Sequence, residues 1–110
     1  MTVVSLFSGA GGLDYGIKSA GNTILWANDL DKNAVETYRH NIGSEIHCAD
    51  ISTIAVKDIP DCDVVIGGFP CQGFSQANLR RTIDDERNQL YKFYYQVIEE
   101  KQPLFFIAEM

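Results

Sequence analysis

TVVSLFSGAGGL, residues 2–13, is the stretch that decides the fold. Thr2–Phe7 is rich in β-branched and apolar residues and predicts a strand, and Gly11–Ala20 predicts a helix. Three glycines within four positions separate the two, so the backbone can turn tightly and approach a ligand closely. The first N–H groups of the helix are free to bind a negative group. The loop is neither the GxGxxG of dinucleotide enzymes nor a phosphate loop, since no GK[ST] follows; a tight turn without a ligand is the alternative.

Outward from this unit, strands and helices alternate along the chain. Further strands are predicted at Thr23–Ala27, Glu45–Cys48, Asp63–Gly67 and Leu104–Ala108, and further helices at Asp31–Asn41 and Arg87–Lys101. This alternation is typical of the α/β class and predicts a Rossmann-like parallel sheet with helices on both faces. Ligands of such sheets bind beyond the carboxyl ends of the strands, so the residues that follow each strand are the candidates for function.

The composition is that of one globular domain. Of 110 residues, 45% are hydrophobic and 22% charged, and no apolar run is long enough for a bilayer. The first residues do not resemble a signal peptide, so a cytosolic protein is expected. Three cysteines without a CxxC pair argue against a zinc site and a disulfide scaffold, and no metal site is predicted. The net charge of −6, from 15 acidic and 9 basic residues, argues by itself against a nucleic-acid-binding surface.

Acidic residues follow the second and third predicted strands. Asp29 lies 20 residues after Gly9, the spacing at which an acid commonly binds ribose hydroxyls. Capping of the next helix is the alternative, although Asp31 could serve that purpose as well. Asp50 occupies the corresponding position after the third strand and, taken alone, would be an ordinary loop acid.

A cysteine follows the fourth predicted strand. The run Val64–Ser75 passes from three buried-type residues through Gly67-Gly68 to a proline and then Cys71. A thiol held on such a loop, at the carboxyl edge of a sheet, is placed as a nucleophile would be. Cys48 and Cys62 lack such surroundings and are predicted to be small buried hydrophobes.

These segments resemble, in order, the motifs of the cytosine-C5 DNA methyltransferases. Pro70-Cys71-Gln72-Gly73-Phe74-Ser75 is similar to PCQ-x-FS, and Phe7–Leu13 to F-x-G-x-G-G. Asn28–Asp31 is similar to N-E-x-D, Ala49–Ile51 to G-D-I, and Phe105–Met110 to a strand that ends in E-N-V. The resemblance covers essentially all of residues 1–110 and implies the amino-terminal half of a class I S-adenosylmethionine-dependent methyltransferase domain.

The resemblance implies a cofactor, a reaction and residue roles. Cys71 would attack C6 of cytosine as a thiolate and make C5 nucleophilic toward the sulfonium methyl group, while Glu109 would hold N3 of a flipped-out base. Loss of the C5 proton would then expel Cys71. S-adenosyl-L-methionine contacts are implied at Phe7, Ser8, Gly9, Gly11, Gly12, Leu13, Asp29, Leu30, Asp50, Ile51, Gly68 and Leu90, and substrate or DNA contacts at Pro70, Gln72 and Ser75.

The sequence departs from the family pattern at several positions. Asp29 replaces the usual glutamate, Ser5 stands where an acid is common, and Met110 replaces the asparagine of E-N-V. Asn88-Gln89-Leu90 replaces G-T-L, so only Leu90 transfers as a wall of the cofactor site.

The family's target-recognition domain and later motifs are expected to be absent from residues 1–110, which would explain the acidic balance. The chain alone is not expected to methylate. Double-stranded DNA, the cofactor and its product S-adenosylhomocysteine are the expected partners, with a second polypeptide if the enzyme is split and no membrane. The expected location is the bacterial cytosol or nucleoid, or the nucleus in a eukaryote, and the expected role includes restriction–modification.

Three other functions stay open at this point. A tRNA cytosine-C5 methyltransferase would carry the same motifs. A cofactor-binding remnant or accessory subunit would not need Cys71 and Glu109. A nicotinamide dehydrogenase would explain the glycine loop but gives no role to Pro70-Cys71-Gln72. The polar segment 76–86, with Arg80 and Arg81, is predicted to be a mobile loop that closes over DNA, and an ordinary solvated connection is the alternative.

Overall fold

The computed structural model describes residues 1–68 and 86–109. Five strands alternate with three helices and two short 3₁₀ turns. The strands are β1 (Thr2–Leu6), β2 (Thr23–Asp29), β3 (Ile46–Cys48), β4 (Val64–Gly68) and β5 (Phe105–Glu109). The helices are α1 (Gly12–Ser19), α2 (Lys32–Asn41) and α3 (Glu86–Lys101), and the 3₁₀ turns span Ile51–Thr53 and Val56–Asp58.

The strands form one parallel sheet in the order β3-β2-β1-β4-β5. The chain moves outward from β1 to β3 and then returns to the other side of β1. The order therefore reverses between β1 and β4, and a crevice opens at that point beyond the carboxyl ends of the strands. Leu6 of β1 is level with Gly67 of β4, and Gly68 is level with Glu109 of β5. The predicted Rossmann-like parallel sheet is confirmed.

Two apolar clusters lie on opposite faces of the sheet because successive strand residues point to opposite sides. Helices α1 and α2 cover one cluster, and α3 with the 3₁₀ turns covers the other. The first cluster includes Val3, Ile24, Val64 and Ile66 with Val35, Tyr38 and Ile42; the second includes Val4, Leu6, Phe7 and Val65 with Phe93, Tyr94 and Val97. Helices on both faces, as predicted, follow from this arrangement.

Local signals in the sequence set several element ends. Asp31 caps α2, since its Oδ1 atom accepts hydrogen bonds from the N–H groups of Asn33 and Ala34. Strand β2 continues past its predicted end at Ala27 to Asp29, which is level with Cys48 of β3. The prediction that Cys48 is buried is wrong: β3 is a three-residue edge strand, and the Cys48 side chain is exposed. Cys62 is half-buried. In the part of the chain that the structure describes, no helix has the length and apolar character needed to cross a membrane.

Candidate functional site

The glycine loop between β1 and α1 has a tightly wound backbone. Phe7, Gly9 and Gly11 have φ values of 53°, 59° and 93°, all in the left-handed region that favours glycine. The Gly11 N–H donates to the Ser8 carbonyl oxygen at 3.1 Å and closes the turn, and the Tyr15 N–H donates to the Gly11 carbonyl oxygen at 2.8 Å as α1 begins. Among these three loop residues Phe7 is the one that is not glycine, so its backbone needs support from its neighbours.

The end of β2 supplies that support. The Phe7 N–H donates to the Asn28 side-chain oxygen at 3.1 Å, and the Ser8 N–H donates to the Asn28 carbonyl oxygen at 2.8 Å. The Gly9 N–H donates to Oδ1 of Asp29 at 3.1 Å. Three successive N–H groups of the loop are thus bound by two successive residues of β2. Asn28 is 1% exposed, which makes this attachment part of the core.

The same two β2 residues also hold the chain that follows β3. The Ala49 N–H donates to the Asp29 carbonyl oxygen at 3.1 Å, and the Asn28 side-chain NH₂ donates to the Ala49 carbonyl oxygen at 3.3 Å. Asp50 therefore follows directly after a residue bound to Asp29, and the two acids lie at the same edge of the sheet. Leu30, beside Asp29, is 65% exposed at this edge.

The residues on the α3 side of the site are more enclosed. The Phe7 ring is 8% exposed and packs against Phe93, with ring centroids 6.5 Å apart. Ile51 and Leu90 pack at the margin of the same cluster. The Phe7 ring is thus mainly a core group, and what Phe7 offers to the edge of the sheet is backbone.

Gly68 ends β4 next to the glycine loop. A Cβ atom on Gly68 would lie 3.2 Å from the Phe7 carbonyl oxygen, so the glycine permits a close approach of β4 to the loop. The backbone of Gly68 is level with that of Glu109 on β5. The predicted nucleophile Cys71 and the predicted substrate contacts Pro70, Gln72 and Ser75 lie outside the described residues, as does most of the predicted mobile segment.

A buried acid in α1 was missed in the sequence. Asp14 is 1% exposed and accepts a 2.6 Å hydrogen bond from the Tyr38 hydroxyl. Burial raises the pKa of Asp14, and hydrogen bonds from Tyr38 and Ser5 offset part of that rise. Burial and the neighbouring Asp14 also raise the pKa of Tyr38, which keeps its hydroxyl protonated as a donor. The available signal was the position of Asp14 beside Leu13 and Ile17, on the apolar face of α1.

An open groove of about 480 Å³ lies elsewhere, between residues 51–57 and α3. Ile51, Val56 and Phe93 form its apolar part, with Lys57 and Glu100 at its polar margin. Among the predicted cofactor residues in the described part of the chain, Ile51 alone lines this groove. The groove is therefore distinct from the candidate site at the glycine loop.

The loop has the space and the acceptors that a nucleoside-containing ligand requires. Cβ atoms built on Gly9 and Gly12 would meet nothing within 4 Å, so a ligand can approach the backbone there. The Asp29 carboxylate accepts one N–H bond on each oxygen, from Gly9 at 3.1 Å and from Asp31 at 3.0 Å. A carboxylate has about four lone-pair sites, so acceptor capacity remains for ribose hydroxyls. The described residues therefore fit S-adenosylmethionine.

Comparison with known proteins links this geometry to one family. The model of the C-5 cytosine-specific DNA methylase family matches residues 1–109. The Type II methyltransferase M.NgoFVII of Neisseria gonorrhoeae is 46% identical over 109 residues, which are 97% of this chain and 29% of the relative. M.FnuDI of Fusobacterium nucleatum, also a Type II methyltransferase, is 44% identical over 99% of this chain and 32% of its own length.

Solved structures agree with the sequence comparisons. A crystal structure described as a DNA modification methyltransferase encoded within an Escherichia coli prophage matches with a TM-score of 0.81 and 39% identity, covering 98% of this chain and 31% of that one. The S. pombe Dnmt2 methyltransferase matches with a TM-score of 0.73 and 31% identity, covering 97% of this chain and 35% of its own. The chain thus spans about a third of the length of these relatives.

Proposed function

Because the chain belongs to the C-5 cytosine-specific DNA methylase family, we propose that it forms the cofactor-binding and nucleophile-bearing part of an enzyme that methylates C5 of cytosine in DNA. The observation that carries the proposal is the attachment of the glycine loop to Asn28 and Asp29 at the switch point of the sheet. This attachment fixes an open loop and an acid side by side where parallel sheets bind their ligands.

S-adenosylmethionine is the cofactor we propose for this edge. The Gly9–Gly12 backbone and the free N–H groups at the start of α1 would face its polar part, and Asp29 would accept from its ribose hydroxyls. Leu30 would cover an apolar part, because its exposed side chain adjoins Asp29. Asp50 and Ile51 would extend the site toward β3, and Gly68 and Leu90 toward β4 and α3. When bound, the cofactor supplies an electrophilic methyl group.

The chain itself would supply the groups that activate cytosine. We propose that the Cys71 thiolate adds to C6, which moves electron density toward C5, and that Glu109 holds N3 as charge develops on the ring. Pro70, Gln72 and Ser75 would position the thiol and the flipped base. Support for this placement comes from the two strands that lead to it, since β4 and β5 are adjacent and Gly68 is level with Glu109.

Strand β5 exposes apolar side chains on both faces of the sheet. Phe105 and Phe106 are 57% and 60% exposed although they point to opposite faces of the sheet, and Leu104 is 69% exposed. Apolar residues on both faces are typical of a strand that is covered on both sides. We propose that the additional two thirds of the family fold cover β5, within the same polypeptide or as a second one.

The substrate, the biological role and the location are proposed from the family and its relatives. We propose double-stranded DNA as the substrate because the family and the bacterial relatives are described as DNA or Type II methyltransferases. The same reasoning favours a restriction–modification role in the bacterial cytosol, where that DNA lies. The basic surface that grips the phosphates would belong to the remaining part of the fold, since this chain has a net charge of −6.

A hybrid enzyme tests the proposal directly. The matching segment of M.NgoFVII, 46% identical, is replaced by this chain, and transfer of a labelled methyl group to duplex DNA and to tRNA is measured. We expect methylation of DNA by the hybrid, none by its Cys71→Ser variant, and activity close to that of the hybrid in Cys48→Ser and Cys62→Ser. The parent relative is the positive control.

Covalent trapping on 5-fluorocytosine DNA identifies the nucleophile in the same hybrid. We expect a stable adduct through Cys71, because fluorine at C5 prevents the proton loss that releases the thiol. An adduct through Cys48, full activity of Cys71→Ser, or methylation of tRNA in place of DNA would each contradict the proposal.

A further inference from the structure

A chain of buried side chains runs from α2 to the glycine loop. The Tyr38 hydroxyl donates to Oδ2 of Asp14 at 2.6 Å, and the Ser5 hydroxyl also donates to the Asp14 carboxylate. The Ser5 and Ser8 hydroxyl oxygens lie 2.8 Å apart. Tyr38, Asp14 and Ser5 are 0%, 1% and 1% exposed, so three elements contribute polar groups that water does not reach.

Asp14 is the common acceptor of the hydrogen bonds in this chain of side chains. Asp14 offers acceptors, and both Tyr38 and Ser5 donate to it. The Ser8 hydroxyl donates to the Ser5 carbonyl oxygen at 3.3 Å, and its oxygen lies 2.8 Å from the Ser5 hydroxyl oxygen. Ser8 is therefore left with lone pairs only, and its hydroxyl can accept hydrogen bonds from a ligand but cannot donate one.

The Tyr38 ring also contacts the glycine loop directly. A Cβ atom on Gly11 would lie 2.7 Å from the Tyr38 ring and would overlap the end of Ile42, so the backbone of the loop at Gly11 lies directly against that ring. The hydrogen bond to Asp14 fixes the far end of the ring. Tyr38 thus contacts the loop through its ring and reaches Ser8 through its hydroxyl.

We propose that Tyr38, Asp14 and Ser5 are positioning residues that set the acceptor orientation of Ser8 and thereby select a cofactor with a hydrogen-bond donor at this point of the loop. The inference rests on the proposed function, since it assumes that the loop binds S-adenosylmethionine, whose amino group is a donor of this kind. None of the three buried residues needs to touch the cofactor.

The test is binding of S-adenosylhomocysteine to the chain, measured by calorimetry, together with the free energy of unfolding of each variant. Tyr38→Phe keeps the ring under Gly11 and removes only the hydroxyl, and Asp14→Asn keeps an acceptor for Tyr38 but can no longer serve both donors as a carboxylate. We expect each to weaken binding about tenfold, as is typical when a charge-assisted hydrogen bond is lost. Tyr15→Phe is the matched control, because Tyr15 adjoins Asp14 in α1 and is 61% exposed.

A double-mutant cycle separates positioning from a general effect on folding. Once Ser8→Ala has removed the terminal hydroxyl, Tyr38→Phe should weaken binding by less than twofold, because its effect passes through Ser8. Equal affinity of Tyr38→Phe and the unsubstituted chain, or additive losses in the double variant, would overturn the positioning role. Failure of the unsubstituted chain to bind S-adenosylhomocysteine would instead refute the proposed function.

Discussion

Replacing each of three loop glycines by alanine should produce three different results. At Gly9 the added methyl group meets nothing within 4 Å, but φ is 59°. The left-handed conformation costs a non-glycine residue about 1–2 kcal/mol, so Gly9→Ala should destabilise by about that amount. At Gly11 φ is 93°, and the methyl group would also overlap Ile42 and lie 2.7 Å from the Tyr38 ring. Overpacking adds about 1–3 kcal/mol, which brings the expected loss to about 2–5 kcal/mol.

The Tyr38 ring decides the size of the Gly11→Ala effect. The end of the Ile42 side chain can rotate away, but Tyr38 is completely buried and its hydroxyl is bound to Asp14. Gly12→Ala is the opposite case, because Gly12 has an ordinary φ, open space around its Cβ position and a place in the first turn of α1. It should preserve or raise stability by up to about 1 kcal/mol.

Urea unfolding monitored by circular dichroism measures these differences, and calorimetric titration with S-adenosylhomocysteine is performed on the same samples. Gly12→Ala should keep the fold yet bind about tenfold or more weakly, because its methyl group would occupy the space that we assign to the ligand. A loss of stability in Gly11→Ala no larger than that in Gly9→Ala would refute the steric contact between Gly11 and the Tyr38 ring. Binding by Gly12→Ala as tight as that by the unsubstituted chain would refute the placement of the ligand beside Gly12.

Three further outcomes are expected from single sites. Tyr94→Phe should cost about 1 kcal/mol in urea unfolding, since the Tyr94 hydroxyl donates at 2.9 Å to a carbonyl oxygen of β5. Hydrogen bonds from the backbone and side chain of Thr2 lower the pKa of Asp63, so its stabilising effect is present above pH about 4 and lost as pH falls through the lowered pKa. A pH series of melting temperatures should therefore show a smaller acid-induced loss in Asp63→Asn, and an unchanged loss would exclude this contribution. Iodoacetamide should alkylate Cys48 faster than Cys62 at pH 8, as followed by mass spectrometry, because Cys48 is exposed and burial raises the pKa of Cys62; equal rates would contradict it.

Local patterns predicted the parts of the fold that depend on neighbouring residues. The strand, glycine loop and helix from Thr2 to Ser19 follow from β-branched residues, glycines and helical spacing. The Asp31 cap follows from a preference that needs only three residues of context. The position of Asp29 at the carboxyl edge also follows, since it requires only that β1 and β2 be parallel neighbours.

Features that depend on strand order were harder to predict. Cys48 was predicted to be buried because it lacks the turn-forming neighbours that surround Cys71, but β3 is the edge of the sheet and leaves its side chain exposed. Asp14 was passed over because an acid in the first turn of a helix is normally solvated. Its burial results from α2 packing over α1 and placing Tyr38 within 2.6 Å of its carboxylate, 24 residues away in sequence.

Asp29 and Asp14 are two acids near the glycine loop whose carboxylates serve different partners. Asp29 is at the open edge, where its carboxylate holds the loop by one oxygen and retains lone pairs for a ligand. Asp14 lies behind the loop, where its carboxylate accepts hydrogen bonds from side chains of the protein itself. A buried carboxylate with few donors costs stability, and such a group is tolerated where it orders a functional segment.

If Asp14 serves only packing, Asp14→Leu should stabilise the chain and leave binding of S-adenosylhomocysteine unchanged. We expect it instead to weaken binding while the fold is kept, because Ser5 and Ser8 would lose the acceptor that orients them.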